Sequence, residues 1–298
     1  MRRLRHVLLF AVVVICASGC DSASPLAPTG TPGSTVIAGP AAPTDPNAIT
    51  IAGHVYDAAW RSLGGARIEV VDGPQAGLST VSTGNGEFRL SGAFNETTRF
   101  RATAPGYRET TKLLPERCAA CNPNWWVYFS LETIAPPPAL DGDYTLTFVA
   151  NSSCGSLPEE FRSRTYSVTV RPANSSTAGQ FTVSLKGGEF VTRYDGFDVG
   201  IAGDHFAASL GDSHGSPGVA ERVAPDTYLT FGGLGEARLA SDDMSTIAGS
   251  FDGVISYCQV RGEAGFGYSC SSGAVSHLSC QSTQHSFVLK RGGSNMNR

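Results

Sequence analysis

Eight cysteines and six histidines are the side chains of this 298-residue chain with the greatest capacity for chemistry. Cys258, Cys270, His277, Cys280 and His285 lie within 28 residues, and Cys118 and Cys121 enclose Ala119-Ala120. A structural zinc site draws its four ligands from short paired spacings. Only Cys118 and Cys121 have such a spacing, and no second pair stands beside them, so no metal site is assigned. A redox Cys-x-x-Cys needs a helix N-terminus to stabilise its thiolate, and no helical pattern begins there. For nucleophilic hydrolysis the nearest approaches are Asp204-His205 and Asp212-Ser213-His214. Adjacent residues on a strand face opposite ways, which separates Asp204 from His205, and the second set falls in a Gly-Ser-Pro loop that reads as a solvated turn. Glu159-Glu160 and Asp242-Asp243 sit in loops without the apolar neighbour that would raise a carboxyl pKa for glycoside cleavage. No catalytic residue and no cofactor are assigned, and the chain reads as a non-enzyme.

The elements that carry these residues begin with an address. Arg2, Arg3 and Arg5 precede an apolar run from Val7 to Ala17, too short to cross a bilayer and arranged like a secretory signal. Ala17-Ser18-Gly19-Cys20 resembles the bacterial lipobox, with Ala17 where that motif usually carries Leu. The resemblance implies cleavage after residue 19 and a lipid on Cys20. Cleavage takes three arginines from the 22 Lys plus Arg, leaving 19 against 26 carboxylates, a net charge of -7. Anionic lipid is then not the anchor, and nucleic acid is not expected as a partner. The expected location is the bacterial envelope outside the cytoplasm, with the N-terminal lipid in the membrane.

Residues 20–48 contain six prolines and almost no large apolar side chain, a disordered tether by composition. A second break at residues 134–140 holds Pro136-Pro137-Pro138, a stiff spacer. Between the breaks and after them the apolar period is two, and no window sustains 3.6 for three turns. The fold class expected is all-β, in two modules. Residues 49–133 offer about seven strands, including a Val81-Ser82-Thr83 and Phe88-Arg89-Leu90 hairpin around Gly84-Asn85-Gly86, enough for a small β-sandwich. Residues 141–292 offer eight or nine, from Tyr144-Leu146-Phe148 to Phe287-Leu289, which suggests an antiparallel meander closing into a β-barrel or folding into a sandwich. A barrel of this size is expected to be filled by side chains, the alternative being a lipocalin-like carrier with a cavity for a small apolar ligand. Residues 293–298 read as a disordered tail.

The first module resembles the carboxypeptidase regulatory-like domain, a transthyretin-like β-sandwich. The matching residues are Gly53, Val55 and Asp57, the Leu63-Gly64-Gly65-Ala66 turn, Thr83, Gly86 and Phe88, and Gly106-Tyr107. The resemblance implies a fold and no catalytic residues, and relatives of this topology include carbohydrate-binding modules. Trp60 and Ser62 depart from it, standing where the family commonly has glycine and proline. Trp60, Trp126 and Tyr128 are candidate ligand-binding aromatics able to stack on a sugar ring, the alternative being that they cover the second module or the loop before Trp125.

In an exported chain, the six cysteines left after Cys16 and Cys20 are set aside favour disulfides. Cys118 and Cys121 pair locally. Cys154 follows the first strand of the second module and Cys280 precedes its last, so a closing meander makes them neighbours and leaves Cys258 with Cys270. The function expected is a tethered, non-catalytic module pair that binds a carbohydrate or another envelope protein, or serves as a scaffold. A hydrolase is the remaining alternative.

Overall fold

The computed structural model describes residues 49–95, 97–114, 125–175, 177–211, 218–240, 244–260, 270 and 274–292. Cys20, the tether, Cys118, Cys121, His214, Asp242 and Asp243 lie outside them. The described residues are all-β apart from one 3-10 turn at Glu159–Phe161.

The first module is built from β1 (Ile49–Asp57), β2 (Arg67–Val70), β3 (Ser79–Val81), β4 (Glu87–Gly92), β5 (Arg99–Thr103), β6 (Thr110–Leu113) and β7 (Trp125–Leu131). Two sheets, ordered β4-β1-β7 and β3-β2-β5-β6, face each other. Strand β1 is antiparallel to β4 and parallel to β7. Alternation creates the core: β4 buries every second residue, and Phe88 and Leu90 meet Ile51, Val55 and Phe129 of their own sheet and Ile68, Phe100 and Ala102 of the other. Each large apolar side chain so buried contributes roughly 1.5–3 kcal/mol.

The second module comprises β8 (Gly142–Val149), β9 (Ser163–Pro172), β10 (Gln180–Lys186), β11 (Phe190–Ala202), β12 (His205–Ser209), β13 (Val219–Ala224), β14 (Thr227–Arg238), β15 (Thr246–Val260) and β16 (Ala274–Arg291). Strands β12 and β13 occupy one slot between β11 and β14. The first pairs with Asp198 to Ala202 and Leu234 to Arg238, the second with the start of β11 and with Thr227 to Phe231. They are one strand interrupted, and Leu210 N–H to Gly233 O (2.8 Å) and Gly218 N–H to Phe231 O (3.1 Å) carry the ladder to the edges of the break. With β10 on β11 and β16 on β8, the sheet closes as an eight-stranded up-and-down barrel.

Inward-facing aromatics fill it. Phe148 stacks on Phe231 (4.7 Å between ring centroids) and meets Phe251 edge-on (5.7 Å). Gly249 makes room for Phe287, whose ring would lie 2.8 Å from any Cβ placed there. A cavity lined by Leu146, Phe148, Val183, Phe206 and Phe287 measures about 10 Å³, the space of a single water. Around these residues the barrel interior is packed by side chains.

Candidate functional site

The outer face of the β4-β1-β7 sheet collects aromatic side chains because strand alternation sends them there. Register places Trp126 beside Ala52 and Tyr128 beside His54, with Arg89 and Glu87 on the far side of β1. Trp126 and Tyr128 are 44% and 51% exposed, and their rings stack at 6.1 Å and 22°. Ala52 is only 4% exposed although it belongs to this outer face. His54 Nε2 lies 2.9 Å from Ser62 Oγ, and its ring is 6.1 Å from that of Tyr56. Burial, then the neighbouring Tyr128 phenol, push the Tyr56 pKa up, so its hydroxyl stays a neutral hydrogen-bonding group. The face therefore offers a flat π surface bordered by hydroxyls, an imidazole, one cation and one anion. It can stack and hydrogen-bond a ring bearing both C–H and O–H groups.

Trp60 belongs to a different place. It occupies the turn after β1 with φ +58°, half-buried against Ala59, Ala202 and Ala207. The three aromatics expected to recognise a ligand together thus divide into an exposed pair and a residue at the joint between the modules.

That joint was not read from the sequence. The fully buried Asp57 carboxylate accepts hydrogen bonds from the backbone N–H groups of Ala59 (2.9 Å) and Arg61 (3.0 Å), from Arg61 Nε (2.8 Å) and from the Tyr107 hydroxyl (3.2 Å). Arg61 Nη2 donates across the joint to the Ala202 carbonyl (3.2 Å), and the Ala178 N–H donates to Glu132 Oε1 (2.7 Å). Gly200 lets the Ala58 carbonyl approach so closely that a Cβ there would sit 2.1 Å from its oxygen. Asp57 and Tyr107 were legible as fold-pattern residues, but nothing local to Arg61 signals its partner Ala202, 141 residues away.

The other chemical candidates are dispersed. Asp204 is exposed and accepts both its hydrogen bonds from Arg238 Nη1 (2.9 Å each), whereas His205 is buried. Glu159 and Glu160 are exposed in the 3-10 turn. Gly211, Ser213 and Gly215 have the spacing of a hydrolase nucleophile elbow, and Ser213 and Gly215 lie outside the described residues. Disulfides join Cys154 to Cys280 (Cα–Cα 5.5 Å) and Cys258 to Cys270 (5.6 Å), so these sulfurs are not zinc ligands. His277 is exposed on β16, while His285 is fully buried and stacked on Phe251 at 4.7 Å. Among the described residues, no three His, Cys, Asp or Glu side chains form a group suited to a metal. One buried polar cluster gave no sequence signal: Glu221 of β13 accepts from Arg164 Nε (3.1 Å), Arg164 Nη2 and the Tyr166 hydroxyl (2.8 Å) of β9. Burial and the Glu221 charge raise the Tyr166 pKa, which keeps that hydroxyl protonated.

Residues 50–116 match the carboxypeptidase regulatory-like domain. The regulatory-like region takes in β1 to β6, so Trp126 and Tyr128, on β7, lie beyond it. No curated protein matches the chain. Among solved structures, the shaft pilin SpaA of Lactobacillus rhamnosus GG (a D295N mutant) is 12% identical over 64% of this chain and 94% of its own, with a TM-score of 0.23. A putative membrane-associated protein of unknown function from Bacteroides fragilis is 11% identical over 82% of this chain and 98% of its own, with a TM-score of 0.22.

Proposed function

We propose that this chain is a non-catalytic extracytoplasmic lipoprotein, anchored through Cys20, that presents the Trp126–Tyr128 face of its first module to a carbohydrate. The observation that carries the reading is the exposed stacked pair: two large aromatics held side by side on a rigid sheet, bordered by His54, Tyr56, Arg89 and Glu87. Aromatic surface left in water at such a place is a recognised mark of an interaction site. The match to a regulatory-like domain supports a non-catalytic module. The filled barrel suits a support for that face rather than a carrier of apolar molecules.

The test is a titration of the full chain with soluble envelope glycans, followed by tryptophan fluorescence and calorimetry. Saturable binding that weakens about tenfold in the Trp126→Ala, Tyr128→Ala double variant is expected, each ring contributing roughly 0.5–1.5 kcal/mol. Glycan binding that survives the double substitution removes the face from the reading, and the absence of glycan binding with capture of a defined envelope protein assigns the face to protein recognition. Radiolabelled palmitate incorporation that disappears in Cys20→Ala tests the anchor separately.

A further inference from the structure

We infer that the joint between the sandwich and the barrel is an acid-sensitive latch, held closed by neutral His205 and loosened when that imidazole takes up a proton. This goes beyond the carbohydrate reading and does not depend on it.

The joint is a turn pressed on a hairpin. Ala58 and Ala59 meet the backbone at Gly200, and Trp60 packs with Ala202 and Ala207. Arg61 bonds Asp57 and Tyr107 in its own module and the Ala202 carbonyl in the other. His205, at the start of β12 and paired in register with Ala202, is 6% exposed, and its Nδ1 makes no hydrogen bond. A buried imidazole with an unpartnered nitrogen gains nothing from a proton that water would not stabilise better.

The charges around His205 make the penalty specific. From the sandwich, Arg61 and Asp57 face it; from β14, Glu236 and Arg238 do, and Arg238 is already paired with Asp204. Burial lowers the His205 pKa first, and Arg61 lowers it further, with Arg238 in the same direction and Glu236 and Asp57 opposed. Asp57 cannot turn to meet a new cation, because its two oxygens already accept four hydrogen bonds. Protonation therefore sets a second positive charge against Arg61, the side chain that carries a hydrogen bond across the joint. Since the closed joint binds the proton less well than the open one, its stability is full above the ordinary histidine pKa of about 6.5 and falls as pH drops below it.

Amide hydrogen exchange on the full chain at pH 7.5 and 5.0, corrected for the intrinsic pH dependence of exchange, tests this. Peptides covering residues 58–61 and 200–207 should exchange on the order of tenfold faster at pH 5.0, reversibly, in excess of any change in peptides of β9, which report the overall stability of the barrel. His205→Gln should abolish the difference. An unchanged joint in the natural chain, or a Gln variant that keeps the acid response, overturns the inference. Arg61→Met supplies an independent check: removing the facing cation lessens the penalty on the protonated imidazole, so the ratio of joint exchange at pH 5.0 to that at pH 7.5 should shrink, and a ratio that is unchanged or larger also overturns the inference.

Discussion

Cys154, in the turn after β8, is bonded to Cys280, in β16, across a sequence separation of 126, with their Cα atoms 5.5 Å apart. These are the first and last strands of the barrel, and they meet along the seam where the sheet closes. A covalent loop of this length removes about 5 kcal/mol of denatured-state entropy in the chain-entropy model. The Cys154→Ala, Cys280→Ala double variant should lose most of that in barrel stability while the sandwich is unaffected. Urea unfolding followed by exchange protection in each module measures both, and equal loss in the two modules would contradict a seam-specific role.

The buried cluster of Glu221, Arg164 and Tyr166 should behave as a unit. The Glu221 side chain is 5% exposed and that of Arg164 is 30% exposed, so Glu221→Gln leaves a guanidinium only partly reached by water. A loss of about 3 kcal/mol is expected, at the lower end for breaking a buried pair. Combining it with Arg164→Met should cost less than the sum of the single changes, a coupling that a double-mutant cycle in urea reads directly.

Gly200→Val should part the modules without unfolding either. Its Cβ would meet the Ala58 carbonyl oxygen at 2.1 Å and the Ala59 Cα at 2.9 Å, contacts that belong to the joint. Overpacking of this kind costs roughly 1–3 kcal/mol. Calorimetry should resolve two separated transitions in the variant where the natural chain shows closer coupling, and a single unchanged transition would count against a close-packed joint.

His285 gives the barrel its own acid response. Its Nδ1 accepts a hydrogen bond from the Asn151 N–H (3.1 Å), and burial lowers its pKa despite opposing contributions from Cys280, Gly253 and Asp252. A folded-state pKa below the unfolded one means that stability is full above about pH 6.5 and declines below it, by up to about 1.4 kcal/mol per pH unit while only the unfolded state is protonated. In a His205→Gln background, urea midpoints at pH 7.5, 6.5 and 5.5 should show this decline, and His285→Gln should flatten it.

The strands were legible wherever one face is buried, as in Phe88 and Leu90 or Tyr144, Leu146 and Phe148, because alternation is dictated by the pleat itself. The neighbourhood of Cys154 and Cys280 was legible for a related reason: in a closing meander, the first and last strands must be adjacent. Trp60 packs on Ala202 and Ala207 of the second module, the alternative reading given for it, and those two alanines are too small to decide between the readings from sequence. That β12 and β13 share one slot is not legible in the sequence, because the slot is defined only by β11 and β14 on either side. Arg164 and Glu221 look like ordinary surface charges until the barrel brings β9 and β13 together.

The parallel pairing of β1 with β7 has a mechanical consequence. The chain enters the sandwich at Ile49 and leaves after Leu131, and the ladder from Ile51–Trp125 to Asp57–Leu131 runs between those opposite ends. A pull on the entering segment against the departing one drives the two strands past each other lengthwise, so the whole row of rungs bears the load at once instead of opening like a zipper. A shear geometry of this kind resists lengthwise tension better than a zipper-like one.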